Sequence, residues 1–272
     1  MQRWMFWKSL SRPERAEIMI LGGASTIAGN LLIPYLFKTG LIDRSKLKVP
    51  LPRLILLGTI QNAVMFSLAS LVGVKLEDRT GLRVPYLRHA LAGRPLPGLS
   101  ARVPKFLILG SGAGVAIVAL DFAFRPWLPK ALTQADKQAG PLAGLLASFY
   151  GGIGEEVLLR RGVMTALVAG LAALRKERPP SESTLWVGNL GAAALFGVGH
   201  LPAVATLTQL TPVVVARTVL LNGIGGTIFG YLYAADGLET AIGAHFTADI
   251  VLHVLAATVA KASRPSSQPA QG

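Results

Sequence analysis

The stretch Gly152-Ile153-Gly154-Glu155-Glu156-Val157-Leu158-Leu159-Arg160-Arg161 lies inside an apolar run covering roughly 142–174. A charge in the middle of a membrane helix costs roughly 2.5–3.5 kcal/mol on insertion scales, so carboxylates kept at such a place are read as functional. Two later apolar stretches each carry a histidine, in Phe196-Gly197-Val198-Gly199-His200 and in His245-Phe246-Thr247-Ala248-Asp249.

The composition says what surrounds them. Of 272 residues, 51% are hydrophobic and only 15% charged, against about 25% charged in a soluble globular domain. Apolar runs near 20 residues recur at about 18–37, 54–74, 106–125, 142–174, 185–201, 212–235 and 239–260, each of a length that crosses a bilayer. A soluble α/β domain with very apolar helices would not need runs so long or so many. The expected fold is all-α: a polytopic transmembrane bundle of about seven or eight membrane helices around an intramembrane cavity. Pro202 and Pro212 bracket a segment at 202–210, read as a re-entrant piece or part of an eighth span. The run at 142–174 is too long for one straight crossing: either Gly151, Gly152 and Gly154 bend it just before the glutamates, or one end projects from the bilayer. Gly110 with Gly114, and Gly226 with Gly230, have the spacing that lets helix backbones approach closely.

The net charge of +13 would suggest nucleic acid in a soluble chain. Here most Lys and Arg lie between apolar runs, where lipid headgroups and topology account for them. No DNA- or RNA-binding motif is present, so membrane lipids and not nucleic acid are the expected partners. The connection Lys75–Lys105 is rich in arginine and is placed in the cytoplasm by the positive-inside rule, with the N-terminus on the same side. The basic stretch Lys38–Arg53 opposes that orientation. The absence of cysteine excludes disulfides, thiolate nucleophiles and cysteine-based zinc sites.

Glu156 and Arg160 are four residues apart, share a helix face and stand in the favoured order for an ion pair. Glu155 points elsewhere and has no partner on its own helix; a desolvated, unpaired carboxylate suits a general base. His245 and Asp249 also share a face, and His253 continues their stripe. Asp121 in the third run is read as pairing with a neighbouring helix. Charged groups within spans face a bundle interior or a wet cavity. If the three spans meet, Glu155, Glu156, His200, His245 and Asp249 form one acid/base site. Three chemistries fit it: amide hydrolysis by glutamate-activated water, a metal site, and a proton or cation relay in a transporter. The zinc helix pattern HExxH and the serine elbow GxSxG are both missing.

Glu155-Glu156-x-x-x-Arg160, Phe196-x-x-x-His200 and His245-x-x-x-Asp249, in this order on separate apolar segments, resemble the CPBP family, the intramembrane CAAX proteases and bacteriocin-processing (Abi) proteins. The resemblance covers roughly 140–255. It implies a helical bundle with an intramembrane catalytic cavity and endopeptidase activity on membrane-associated peptides, including prenylated CAAX or bacteriocin-type substrates. It implies Glu155 as the base that activates water, His200 as the residue holding that water, Glu156 and Arg160 as a supporting pair, and His245 with Asp249 as the oxyanion-stabilising pair. The family often has asparagine at the last position. An amide donates a hydrogen bond and an ionised carboxylate does not, which opens orientation of His245 or cation binding as roles for Asp249. No cofactor is required in this reading. A divalent metal such as zinc, if held, would take Glu155, His200, His245 and Asp249. A non-catalytic immunity or scaffold protein is the alternative. The chain then divides into a basic juxtamembrane N-terminus (1–17), N-terminal membrane helices (18–138) with a basic cytoplasmic loop (75–105), a catalytic core (139–262) and a disordered tail (263–272).

Overall fold

A computed structural model describes residues 10–96, 98–255 and Thr258, apart from the side chains of 134–138. Residues 1–9 of the basic N-terminus and the tail 263–272 lie outside the described residues. Among the described residues, seven helices are long and apolar enough to cross a membrane: α1 (Arg12–Lys38), α2 (Leu51–Thr80), α3 (Leu99–Trp127), α4 (Ala139–Arg175), α5 (Glu182–Leu207), α6 (Pro212–Asp236) and α7 (Leu238–Leu255). The protein is an all-helical, multi-pass membrane bundle, with no strand among the described residues.

The helix ends follow local chemistry. Ser11 and Glu14 form a reciprocal capping box at the start of α1, which satisfies two backbone donors that the first turn cannot. Ser181 and Thr211 cap α5 and α6 by accepting from the N–H groups of Thr184 and Val214. Gly81, at φ 74°, ends α2 in the left-handed conformation that glycine adopts without strain. Along α2, Leu56, Ile60, Val64 and Leu68 recur every four residues and are each more than half exposed. Such an apolar stripe is a liability in water and a lipid-facing surface in a bilayer.

Helices α1 and α2 pack together, as do α3 with α7 and α5 with α6, while α4 touches α1, α2, α5 and α7. The two spaced glycine pairs serve these contacts. A Cβ on Gly110 or Gly114 would collide with the backbone of α7 at Ala244 and Ala248. One on Gly226 would press on Ala193 of α5, and one on Gly230 would overlap Asn189 of the same helix. Asn189 also donates to the Thr227 carbonyl (2.9 Å), and Thr59 of α2 donates to Asn30 of α1 (3.0 Å). Asp121 accepts from Arg217 of α6 (2.9 and 2.5 Å), so this acid ties α3 to its neighbour.

The long fourth run departs from helical φ/ψ ahead of its glycine cluster. It breaks earlier, at Gly140 (φ 74°, ψ 163°), within the helical stretch Lys130–Phe149. Across Tyr150–Glu155 and Val157–Met164 the helix instead widens to π geometry, with hydrogen bonds from i to i+5. The glycines permit this widening because neighbours fill the faces they leave bare. Phe246 of α7 packs against Gly152, and Ala69 of α2 packs against Gly162. The 202–210 segment is no eighth crossing. Its helical part, Leu201–Leu207, continues α5 after the turn at His200, with Pro202 in the first turn.

Candidate active site

Glu155 and Glu156 sit near the middle of α4, on the widened stretch, and diverge as adjacent helix residues must. Glu156 is fully buried. Its Oε1 accepts from His245 Nδ1 at 2.8 Å, joining α4 to α7. Its Oε2 stands 3.2 Å from Arg160 Nε one turn along, as the i, i+4 spacing predicts. That contact is an ion pair without hydrogen-bond alignment. Glu156 Oε2 and all three Arg160 guanidinium nitrogens are buried and make no hydrogen bond among the described residues. The Arg160 guanidinium instead lies 5.5 Å from the centre of the Phe196 ring.

Glu155 faces the histidines. Its Oε1 is 3.8 Å from His200 Nε2, and its Oε2 is 3.8 Å from His245 Nε2. Both distances exceed a direct hydrogen bond and suit a small molecule hydrogen-bonded between the groups. Exposure rises from His245 (7%) through Glu155 (18%) to His200 (34%), so the site opens on the His200 side.

The tautomers follow from the partners. His200 Nδ1 lies 2.9 Å from the Phe196 carbonyl, which can only accept, so Nδ1 carries a proton and Nε2 is the ring nitrogen turned towards Glu155. His245 Nδ1 likewise donates to Glu156. Its Nε2 faces two carboxylates, Glu155 Oε2 and Asp249 Oδ1 at 3.7 Å. Three acceptors around one point repel, so a proton is shared among them. Phe229 stacks on His245 (4.4 Å between centroids, 18°), and Phe196 meets both His245 and His200 edge-on. One turn beyond Asp249, His253 Nε2 is 4.0 Å from Asp249 Oδ1.

All six residues singled out in the sequence therefore gather in one place. Glu155, Glu156 and Arg160 come from α4, His200 from α5, and His245 and Asp249 from α7. Phe229, which stacks on His245, and Gly73, whose missing side chain makes room for Arg161, carried no legible signal, and Gly151, read as a bending glycine, instead makes room for Asp249. Arg161 was legible only as a charge. Its partners, Glu17, Glu77 and the Leu82 carbonyl, all lie more than seventy residues away. Glu17, read with the juxtamembrane N-terminus, is fully buried inside α1. Glu155, His200, His245 and Asp249 are donors that zinc accepts. Among the described residues, however, no three His, Asp or Glu side chains converge closely enough to hold an ion.

Residues 137–251 match the family model described as type II CAAX prenyl endopeptidase Rce1-like. No curated protein and no solved structure matches the chain. The matched segment holds Glu155, Glu156, Arg160, His200, His245 and Asp249 together, and over these residues the chain is similar to a family of proteases.

Proposed function

We propose that the protein is an intramembrane endopeptidase that hydrolyses a peptide bond in a membrane-associated, CAAX-type substrate by glutamate-activated water. The observation that carries this reading is Glu155, which presents one carboxylate oxygen to each of two imidazoles at equal distance, 3.8 Å. Water held between Glu155 and His200 Nε2 gives its proton to Glu155 as its oxygen bonds to the scissile carbonyl carbon. The carbonyl oxygen becomes an oxyanion beside His245, whose Nε2 proton is the donor nearest the reacting centre. Collapse of the intermediate breaks the C–N bond, and Glu155 returns its proton to the departing amine. Glu156 and Arg160 position His245. Asp249, an acceptor when ionised, orients His245 and favours its Nε2 proton instead of donating to the oxyanion. No step is routed through a metal.

The orientation that fits this reading puts the N-terminus, the 81–98 connection and the 176–181 loop on the cytoplasmic face, by their Arg and Lys content. The test is cleavage of a farnesylated peptide ending in a CAAX box by the purified protein in proteoliposomes. Glu155→Gln keeps the shape and removes the base, and kcat should fall at least ~10²-fold. Undiminished turnover by Glu155→Gln would end the proposal.

A further inference from the structure

One residue past Arg160, Arg161 points away from the site into a second buried ionic cluster. It is fully buried, and so is Glu17. Arg161 donates from Nε and Nη2 to Glu17 Oε1 (3.0 and 2.5 Å), from Nη2 to Glu77 Oε2 (2.7 Å), and from Nη1 to the Leu82 carbonyl (2.9 Å). Arg88, on the short helix Pro85–Leu91, closes the ring with bonds to Glu17 (2.5 Å) and Glu77 (3.3 Å). Two carboxylates face two guanidinium groups, so the cluster is neutral. Gly73 of α2 lies directly beneath the Arg161 side chain, where any Cβ would overlap it.

The location gives the cluster its meaning. Arg161 belongs to the π-helical stretch Val157–Met164, which directly follows Glu155 and Glu156. A π turn is less stable than an α turn and persists only where its surroundings hold it. Relaxation to i→i+4 bonding would turn the residues before the stretch relative to those after it, by up to the ~100° that separates neighbours on a helix. Glu155 would then leave His200 and His245. Arg160 holds Glu156 from within the same helix and cannot prevent this rotation. Arg161 is fixed from outside, by α1, α2 and the connection between α2 and α3.

We propose that Glu17, Glu77 and Arg88 are positioning residues: by clamping Arg161 they hold the widened stretch of α4 in the register that aims Glu155 at the two histidines. All three lie outside the family-matched segment 137–251, so the site depends on helices that carry none of its motifs. The inference rests on the hydrolase reading for its kinetic readout but not for its structural one.

The experiment compares wild type, Glu17→Gln and Glu17→Asp in proteoliposomes with the farnesylated CAAX peptide, and follows amide hydrogen exchange in the same samples. Glu17→Gln should lower kcat ~10–100-fold with KM within two-fold, because a displacement near 1 Å at a reacting group is enough for such a loss. Exchange should accelerate at residues 150–164 and stay unchanged in α3 and α6. Glu17→Asp, which keeps the charge, should recover most of kcat. If Glu17→Gln does not fold, Glu77→Gln removes the less buried arm and is read in the same way. Unchanged kcat in a folded variant overturns the inference, and so does exchange accelerated evenly through the bundle, which marks general loosening. Activity retained by Glu155→Gln while Glu17→Gln loosens 150–164 would sink the hydrolase reading and leave the clamp standing. An inactive Glu155→Gln beside a fully active Glu17→Gln would do the reverse.

Discussion

Gly151→Ala adds a single carbon where the site has no space for it. The new Cβ would overlap Asp249 Oδ2 and stand 3.2 Å from His245 Nε2, inside the 3.4 Å at which ordinary Cβ contacts begin. The carboxylate must withdraw by on the order of 1 Å, drawing His245 with it, and a shift of that size at a reacting group costs about 10²-fold in rate. Helix stability opposes any confusion with misfolding, because alanine is favoured over glycine in a helix by about 1 kcal/mol. Gly151→Ala should therefore stay in the membrane, unfold no earlier on heating than wild type, and lose about two orders of magnitude in kcat. Gly170→Ala, in the same helix with open space around its Cα, is the control and should leave kcat unaltered. The assay is initial-rate cleavage of the farnesylated CAAX peptide, with thermal unfolding followed on the same preparation. A Gly151→Ala protein that cleaves at the wild-type rate would refute the packing argument and, with it, the functional contact between Asp249 and His245.

Glu156→Gln leaves the buried Arg160 cation without its counter-ion, an arrangement that costs about 3 kcal/mol when one partner of a buried pair is removed. A drop in thermal stability together with loss of cleavage is expected, and a variant as stable as wild type would count against the pairing. Chelation with 1,10-phenanthroline should leave cleavage within two-fold of the untreated rate. Loss of activity that Zn²⁺ restores would replace the water-activation scheme with a metal-centred one drawing on Glu155, His200, His245 and Asp249.

What could be read in advance was local. The i, i+4 pairs Glu156–Arg160 and His245–Asp249 depend only on helix periodicity, and both form contacts. The apolar runs gave all seven crossings because length and hydropathy are properties of a segment alone. The gathering of α4, α5 and α7 followed from the cost of charge in lipid. Features that depend on distant partners were illegible. The π widening of 150–164 has no compositional mark, and the break in helical backbone at Gly140 was not legible either. The connection after α2 read as a basic cytoplasmic loop, yet Arg88 within it turns back to Glu17, 71 residues earlier in the chain. The segment after His200 looked able to cross or re-enter, and its helix stops at Leu207.

The Phe229 ring stacked on His245 has one more effect. With one face lying against Phe229, the edge of Phe196 nearby, and Nδ1 tethered to Glu156, the imidazole cannot flip to exchange its two nitrogens. Its Nε2 therefore stays turned toward Glu155 and Asp249, the two carboxylates with which it can trade a proton.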